Sequence, residues 1–486
     1  MAFAPLATVA AGIVLLNVVG IVFHLWSSAP KSAFDVGVTV AAARRLHGLS
    51  IYSDPAVDQA STMYGPVVPI LTSWLFQIFG VSNLPGKLLS LTASLCIIGL
   101  VLAATARRDL RAWLIGGALL FACNHNVGFY FVEARPDMVA ALFALLALFL
   151  FAEWERRRRA WTLILSLAFF VLAFFAKQSL AAAALVPLVA EFFRGGGFSR
   201  GRFARFAVAT LPLVTVLAAI ASLRATSPMA YFYMVTLPAR YHVSLVSAWH
   251  SGFELLLMYA SLLAVVFDLV AHPARRDAPT RWWGAAIGVF LITGIAAMAK
   301  GGGWWNSLLP FFVASAGFVT LRLPRALTAL DDPALPIARR AAVSVVLAVM
   351  LVAFAVRNPG EAVNTVSGVI TIQGDARYEQ VVALARELPG RVRCPEDPTI
   401  PLLARGEITR SAFLEMDVTH WPPRLPAYVD DEIAAARYVI QVKGPLQRLL
   451  SDEWLVRLGF VPVKEDRLKG SVYHLWEKGA GSKLSW

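Results

Sequence analysis

The sequence predicts an α-helical polytopic membrane domain followed by a small mixed α/β domain, and three observations lead there. Hydrophobic residues make up 58% of the 486-residue chain and charged residues only 15%, an imbalance foreign to soluble domains. The apolar residues fall in blocks of 16 to 23, close to the roughly 20 needed to cross about 30 Å of hydrocarbon. After Val356 the composition becomes mixed, with Pro359, Gly360 and many charges.

The first apolar block, 5–27, has no basic residue before it and no small-residue cleavage site after it. It is expected to be a retained span. Further spans are expected near 86–106, 112–130, 137–153, 160–176, 178–193, 204–222, 253–271, 282–299, 304–321 and 341–356, about eleven in all. Arginine placement orients them. One set of alternate loops holds eighteen basic residues, including Arg156 to Arg159, Arg194, Arg205 and Arg281, whereas the opposite loops hold nine over longer stretches. Basic loops stay on the cytoplasmic side. The N-terminus is therefore expected inside and the C-terminus outside, at a bacterial inner membrane.

The segment from Pro66 to Phe79 is apolar, but as a span it would place Arg107 and Arg108 outside. It is expected to be an interfacial or re-entrant helix at the outer face. Residues 1–356 thus form the membrane domain with an outer loop at 28–85, and 357–486 an extracytoplasmic domain. There, Tyr438 to Val442 and Leu455 to Val463 read as strands and Gln380 to Leu388 as a helix.

The net charge of +13 would suggest nucleic acid in a soluble protein, but its arginines sit in short loops between apolar blocks and report topology. No nucleic-acid partner is expected. Three cysteines, Cys96, Cys123 and Cys394, give no disulfide framework or zinc pattern.

With this topology the outer face collects ionisable groups. The first outer loop carries Asp35, Arg44, Arg45, His47, Asp54 and Asp58 and closes with Tyr64-Gly65-Pro66. The later outer turns are Glu133-Ala134-Arg135-Pro136-Asp137, Lys177-Gln178, Arg240-Tyr241-His242, and Lys300-Gly-Gly-Gly-Trp304-Trp305-Asn306. Each has a plain structural reading. Asp137 follows a proline at a helix start and suits the helix dipole or an ion pair with Arg135. Trp304 and Trp305 suit the aromatic belt, and Lys177 could snorkel. Asp54 and Asp58 read as solvated loop residues. Convergence favours function, because ionisable groups at the hydrocarbon edge are costly to keep.

A carboxylate among several cations at the membrane surface suits transfer of a sugar from a polyprenyl-phosphate to a hydroxyl. The nucleophile needs a base, and the phosphate leaves already stable as an anion. Aromatic residues next to polar ones, such as Tyr64, Trp304 and Trp305 beside His242 and Asn306, suit sugar or acceptor binding.

The order of these motifs resembles the C-type glycosyltransferases, in the branch with protein O-mannosyltransferases and bacterial lipid A aminoarabinose transferases (glycosyltransferase family 39-like). The resemblance rests on Phe34-Asp35, Tyr64-Gly65-Pro66, Glu133 to Asp137, Ala176-Lys177-Gln178, Lys300 to Asn306, Glu396-Asp397-Pro398, and Leu402 to Gly406. Two positions depart from it. Val67 replaces a second proline, and Asp35 has no adjacent acid, which speaks against a divalent metal, since such ions need several hard oxygens.

The resemblance implies Asp35 as catalytic base, with Glu133 and Asp137 as further carboxylates. It implies Arg44, Arg45, Lys177, Arg240 and Lys300 as candidate holders of the donor phosphate. No tightly bound cofactor is implied; the donor is a polyprenyl-phosphate sugar, and the acceptor a lipid, glycan or protein. The alternatives are a transporter or flippase of a lipid-linked glycan, and a non-catalytic envelope-assembly component. The almost charge-free mid-span regions and the lack of a half-to-half repeat weigh against transport.

Overall fold

The computed structural model describes residues 3–479 apart from 31–32, 107–108, 128–129, 195–198, most of 247–276, 301–302, 304, scattered positions between 335 and 350, 353–372, 420–424 and 444–449. The expected span at 253–271, most of that at 341–356, and Trp304 therefore lie outside the described residues.

Helix α1 (Phe3–Trp26) leads into the 28–85 loop, which opens with α2 (Ala33–Leu46). Lys87 fixes the exit from α1: its Nζ donates to the carbonyls of His24, Ser27 and Ala29, which the helix end leaves unpaired. Helix α3 (Val67–Phe79) follows, then α4 (Leu84–Thr105), α5 (Leu110–Val127), α6 (Asp137–Arg157) and α7 (Ala160–Ala176). The chain re-enters as a 3₁₀ stretch, Gln178–Leu185, continuing into α8 (Val186–Phe192). Beyond lie helices Arg200–Ala209 and Leu211–Thr226, then Ala278–Met298 and Leu309–Asp331.

Among the described residues six helical segments are long and apolar enough to cross a membrane: Phe3–Trp26, Leu84–Thr105, Asp137–Arg157, Arg200–Thr226, Ala278–Met298 and Trp305–Thr328. A 21-residue helix spans about 31 Å at 1.5 Å per residue, the thickness of the hydrocarbon core. The chain is a multi-pass membrane protein, and these segments match the expected spans to within a few residues. Helix α3, with 13 residues, reaches only about 20 Å. Its Trp74, Ile78 and Phe79 are exposed while Val68 and Phe76 are buried, as an interfacial helix requires. Helices α6 and α7 form a hairpin through Arg158, whose φ of 56° lets the backbone turn within two residues.

Residues 373–479 build a four-stranded sheet in the order β1-β2-β4-β3, from β1 (Val392–Arg393), β2 (Tyr438–Val442), β3 (Phe460–Val463) and β4 (Tyr473–Lys478). Strand β1 runs parallel to β2, and β4 antiparallel to both β2 and β3, with Ile440 opposite Leu475. Helix Gln373–Glu387 packs Tyr378, Val381 and Leu384 into a core with Val392, Ile440 and Leu475. The strand expected at Leu455–Val463 is corrected in its first half. Asp452–Arg457 is a helix, because the Ser451 hydroxyl accepts the Trp454 N–H and two acidic residues occupy the first turn, where the helix dipole favours them.

Candidate functional site

Four segments far apart in sequence meet at one end of the bundle. The Tyr64-Gly65-Pro66 turn lies against the last residues of α7: a Cβ on Gly65 would sit 1.8 Å from the Phe175 carbonyl oxygen, and the Gly65 N–H donates to Ala176 O at 3.3 Å. Only glycine permits this approach, which brings Lys177 to 5.9 Å from the centre of the Tyr64 ring. The Glu133–Asp137 turn is pressed on α4 in the same way. Ala134 is fully buried against Gly86, and the Ser90 hydroxyl donates to Arg135 O.

Asp137 opens α6 after Pro136 and is 3% exposed. Its Oδ1 accepts from Lys177 Nζ at 2.5 Å and from Asn306 Nδ2 at 2.9 Å. Its Oδ2 lies 3.9 Å from Arg135 Nε, and both atoms are buried without a hydrogen-bond partner. The Arg135 guanidinium is held between the rings of Phe34 and Tyr130, at 4.4 and 4.2 Å. It also reaches Glu133 Oε2 at 3.2 Å and the Tyr64 hydroxyl at 3.5 Å. A buried carboxylate keeps its charge only with such partners. Burial pushes the Tyr64 phenol up to about 12, so a neutral hydroxyl accepts from Arg135 at physiological pH.

Asp35 lies in the first turn of α2, fully buried. Its neighbour Phe34 packs on Tyr64, with centroids 6.1 Å apart, and edge-on to Phe413 at 4.7 Å. Val36, Val40 and Ala43 of α2 form a small core with Phe76 of α3 and Leu402 of the C-terminal unit. That unit therefore covers the 28–85 loop. Glu415, fully buried, accepts the Ala60 N–H at 2.8 Å; Arg410 donates to Pro55 O at 2.7 Å; and the Tyr241 hydroxyl donates to Asp417 at 2.8 Å. Burial pushes the Asp417 carboxyl up to about 7.

Beside this cluster a cleft of about 370 Å³ opens between the helices, with Asp137, Lys177 and Asn306 at its polar end and Phe290, Leu309 and Pro310 among its apolar walls. Of the residues singled out in the sequence, Tyr64, Glu133, Asp137, Lys177 and Asn306 come together, with Asp35 packed next to them through Phe34. The others lie apart. Arg44 is buried in an ion pair with Asp58, itself half-exposed, and donates to Ser50 O, so it braces the 50–58 loop. Arg45 and His242 are exposed, Arg240 lies over the Phe232 ring, Lys300 donates to Pro238 O at 3.2 Å, and Trp305 packs on the bundle core. Sequence reasoning saw Arg135 only as a partner for Asp137 and did not single out Tyr130 or Asp417. Among the described residues no three His, Cys, Asp or Glu side chains group to hold a metal ion.

The sequence matches no family model and no curated protein. Its backbone does match solved structures. ArnT from Cupriavidus metallidurans in the apo state superposes with a TM-score of 0.60 at 14% identity, covering 97% of this chain and 98% of that one. The same protein bound to undecaprenyl phosphate gives 0.59 at 13% identity, covering 98% of both chains. The chain has the C-type glycosyltransferase fold. The likeness runs over nearly the full length of each chain, so it takes in both the membrane bundle and the C-terminal sheet of this one. In this C-type fold the buried cluster of Tyr64, Glu133, Arg135, Asp137, Lys177 and Asn306 is built by the sequence's own contacts.

Proposed function

We propose that the protein is a membrane glycosyltransferase that moves a sugar from a polyprenyl-phosphate donor to an acceptor hydroxyl at the outer face. The observation that carries this reading is the buried Asp137–Lys177–Asn306 cluster at the polar end of an apolar-walled cleft between spans, with Arg135 behind Asp137. A lipid tail suits the walls and a phosphate and sugar suit the end. ArnT, which shares the fold, has been seen with undecaprenyl phosphate, in keeping with a lipid-phosphate donor here.

In the proposed reaction Asp35 takes the proton of the acceptor hydroxyl. The oxygen attacks the anomeric carbon from the side opposite the phosphate, the carbon–oxygen bond to phosphate breaks, and the polyprenyl phosphate leaves as an anion with inversion. Arg135 and Lys177 neutralise the growing charge, while Asp137 and Asn306 hold Lys177 in place. Residues 357–486 act as the outer domain that roofs the donor loop at 28–85, with the N-terminus inside.

The test is purified protein in nanodiscs with a panel of polyprenyl-phosphate sugars, read as released polyprenyl phosphate. Turnover by the wild type and a loss of at least about a hundredfold in Asp35→Asn are expected, the usual scale for a general base. Transport of a lipid-linked glycan without turnover of any donor overturns the reading.

A further inference from the structure

A second polar pocket lies at the opposite end of α6, where the C-terminal turn of α6, α8, helix Arg200–Ala209 and the start of helix Ala278–Met298 enclose about 330 Å³. Two carboxylates there are already matched. Glu191, 5% exposed, pairs with Arg205 at 2.7 Å and with Arg194 at 3.0 Å, and Glu155 pairs with Arg194 and accepts from Trp282 Nε1.

Two further guanidinium groups line the pocket without a carboxylate at ion-pair distance among the described residues. Arg158 has only the Trp154 ring, 4.7 Å away. Arg281 feels Glu191 and Asp277 electrostatically but forms no ion pair with either. The lining residues Arg158, Arg205 and Arg281 outnumber Glu155 and Glu191 by one positive charge, and Arg194, which pairs with both carboxylates from behind the lining, adds a second. Arg158 is also the non-glycine residue among those described that adopts a left-handed backbone, a conformation that disfavours side chains with a Cβ.

We propose that this pocket binds the phosphate diester of an anionic phospholipid headgroup, with Arg158 and Arg281 as its ligands. Two guanidinium forks match a phosphate bearing one negative charge and a neighbouring acidic or hydroxyl-rich headgroup. The pocket's floor favours a lipid over free phosphate. Phe151, Trp154 and Trp282 pack together, with centroids 5.3 and 5.7 Å apart, in the manner of residues at the membrane interface. Phe192 and Phe203, on the two helices that flank the pocket, are 67% and 76% exposed, apolar surface that acyl chains would cover. The opening sits about 31 Å along α6 from Asp137, at headgroup depth on the far leaflet.

The experiment titrates the full chain in neutral detergent with phosphatidylglycerol, diacylglycerol and inorganic phosphate, and reads bound lipid by native mass spectrometry. Phosphatidylglycerol should bind and diacylglycerol should not. In R158Q/R281Q the affinity should fall roughly thirtyfold, the effect of two interfacial charges. R156Q/R157Q removes the same charge from exposed arginines that pair with Glu153 and should stay within about twofold of wild type by the same measure. The single variant R158Q, at an exposed position, should show an intermediate loss should the double variant fold poorly. Equal losses in the two double variants would mean surface charge and not this pocket, and would overturn the proposal. Displacement of phosphatidylglycerol by millimolar inorganic phosphate would make it a free-phosphate site, and binding of diacylglycerol as tight as phosphatidylglycerol would remove the phosphate; either result overturns it too.

Discussion

Asp137 is the residue on which most of the outer cluster depends, because three nitrogens from three segments converge on one carboxylate. Lys177→Ala removes the ammonium and leaves the buried Asp137 to Asn306 and the more distant Arg135, and breaking a buried pair of that kind costs about 3 to 5 kcal/mol. A fall in melting temperature is expected, together with loss of donor use; restoration of stability by adding Asp137→Asn would show that the pair, and not the lysine alone, sets the cost. Asp417 gives a pH signature. Its folded value of about 7 lies above the unfolded value of about 3.9, so the folded state holds the proton more tightly. The resulting stability is complete below about pH 4 and is lost as pH rises toward 7. Melting of the C-terminal unit across that window should flatten in Asp417→Asn. Glu396, pushed up to about 8 by burial, acts in the same direction and will leave some slope. Asp137, Lys177 and Asn306 were legible in the sequence because each stands where a charge or amide interrupts the outer end of an apolar block. Arg135 was not, since its place between Phe34 and Tyr130 joins residues about a hundred positions apart and leaves no local periodicity.

Among the elements, helices longer than about 17 residues were legible because their length and apolarity answer to the bilayer alone. Helix α3 was also read correctly, from charge topology and not from its own composition. The segment Leu455–Val463 shows the opposite case. A short apolar run fits a strand or a buried helix, and only the Ser451 cap and Gly459, at φ 83°, divide it. The tightest junction is Gly65 on the end of α7. Gly65→Ala places a methyl group inside the Phe175 carbonyl, so the Tyr64 turn must lift away from Lys177. The expected outcome is a destabilisation of about 1 to 3 kcal/mol with activity reduced at least tenfold by displacement of the site. Unchanged donor turnover in Gly65→Ala would show that the turn does not position the site.

For the whole molecule, the likeness to ArnT over 97% of this chain at 14% identity means that the path of the backbone outlasts nearly all side-chain identity. The parts of the sequence that forecast this path were the apolar blocks. The docking of the C-terminal unit on the 28–85 loop was only partly foreseeable, since beside Leu402 of the Leu402–Gly406 stretch it depends on Phe413 and Glu415, which carry no motif. Orientation can be checked directly. In a cysteine-free background, an impermeant thiol reagent applied to intact cells should label Glu477→Cys and leave Arg200→Cys unmodified until the membrane is opened. Labelling of both from outside would refute an outer C-terminal unit.

The contact between Ala60 and Glu415 joins residues 355 positions apart in the chain. During synthesis the loop that carries Asp35 and Tyr64 is therefore made long before the residues that hold it. The bundle can insert helix by helix, yet this loop is not braced until residues 410–417 have been made and have settled on it. Chains arrested before that point would carry this loop without its brace.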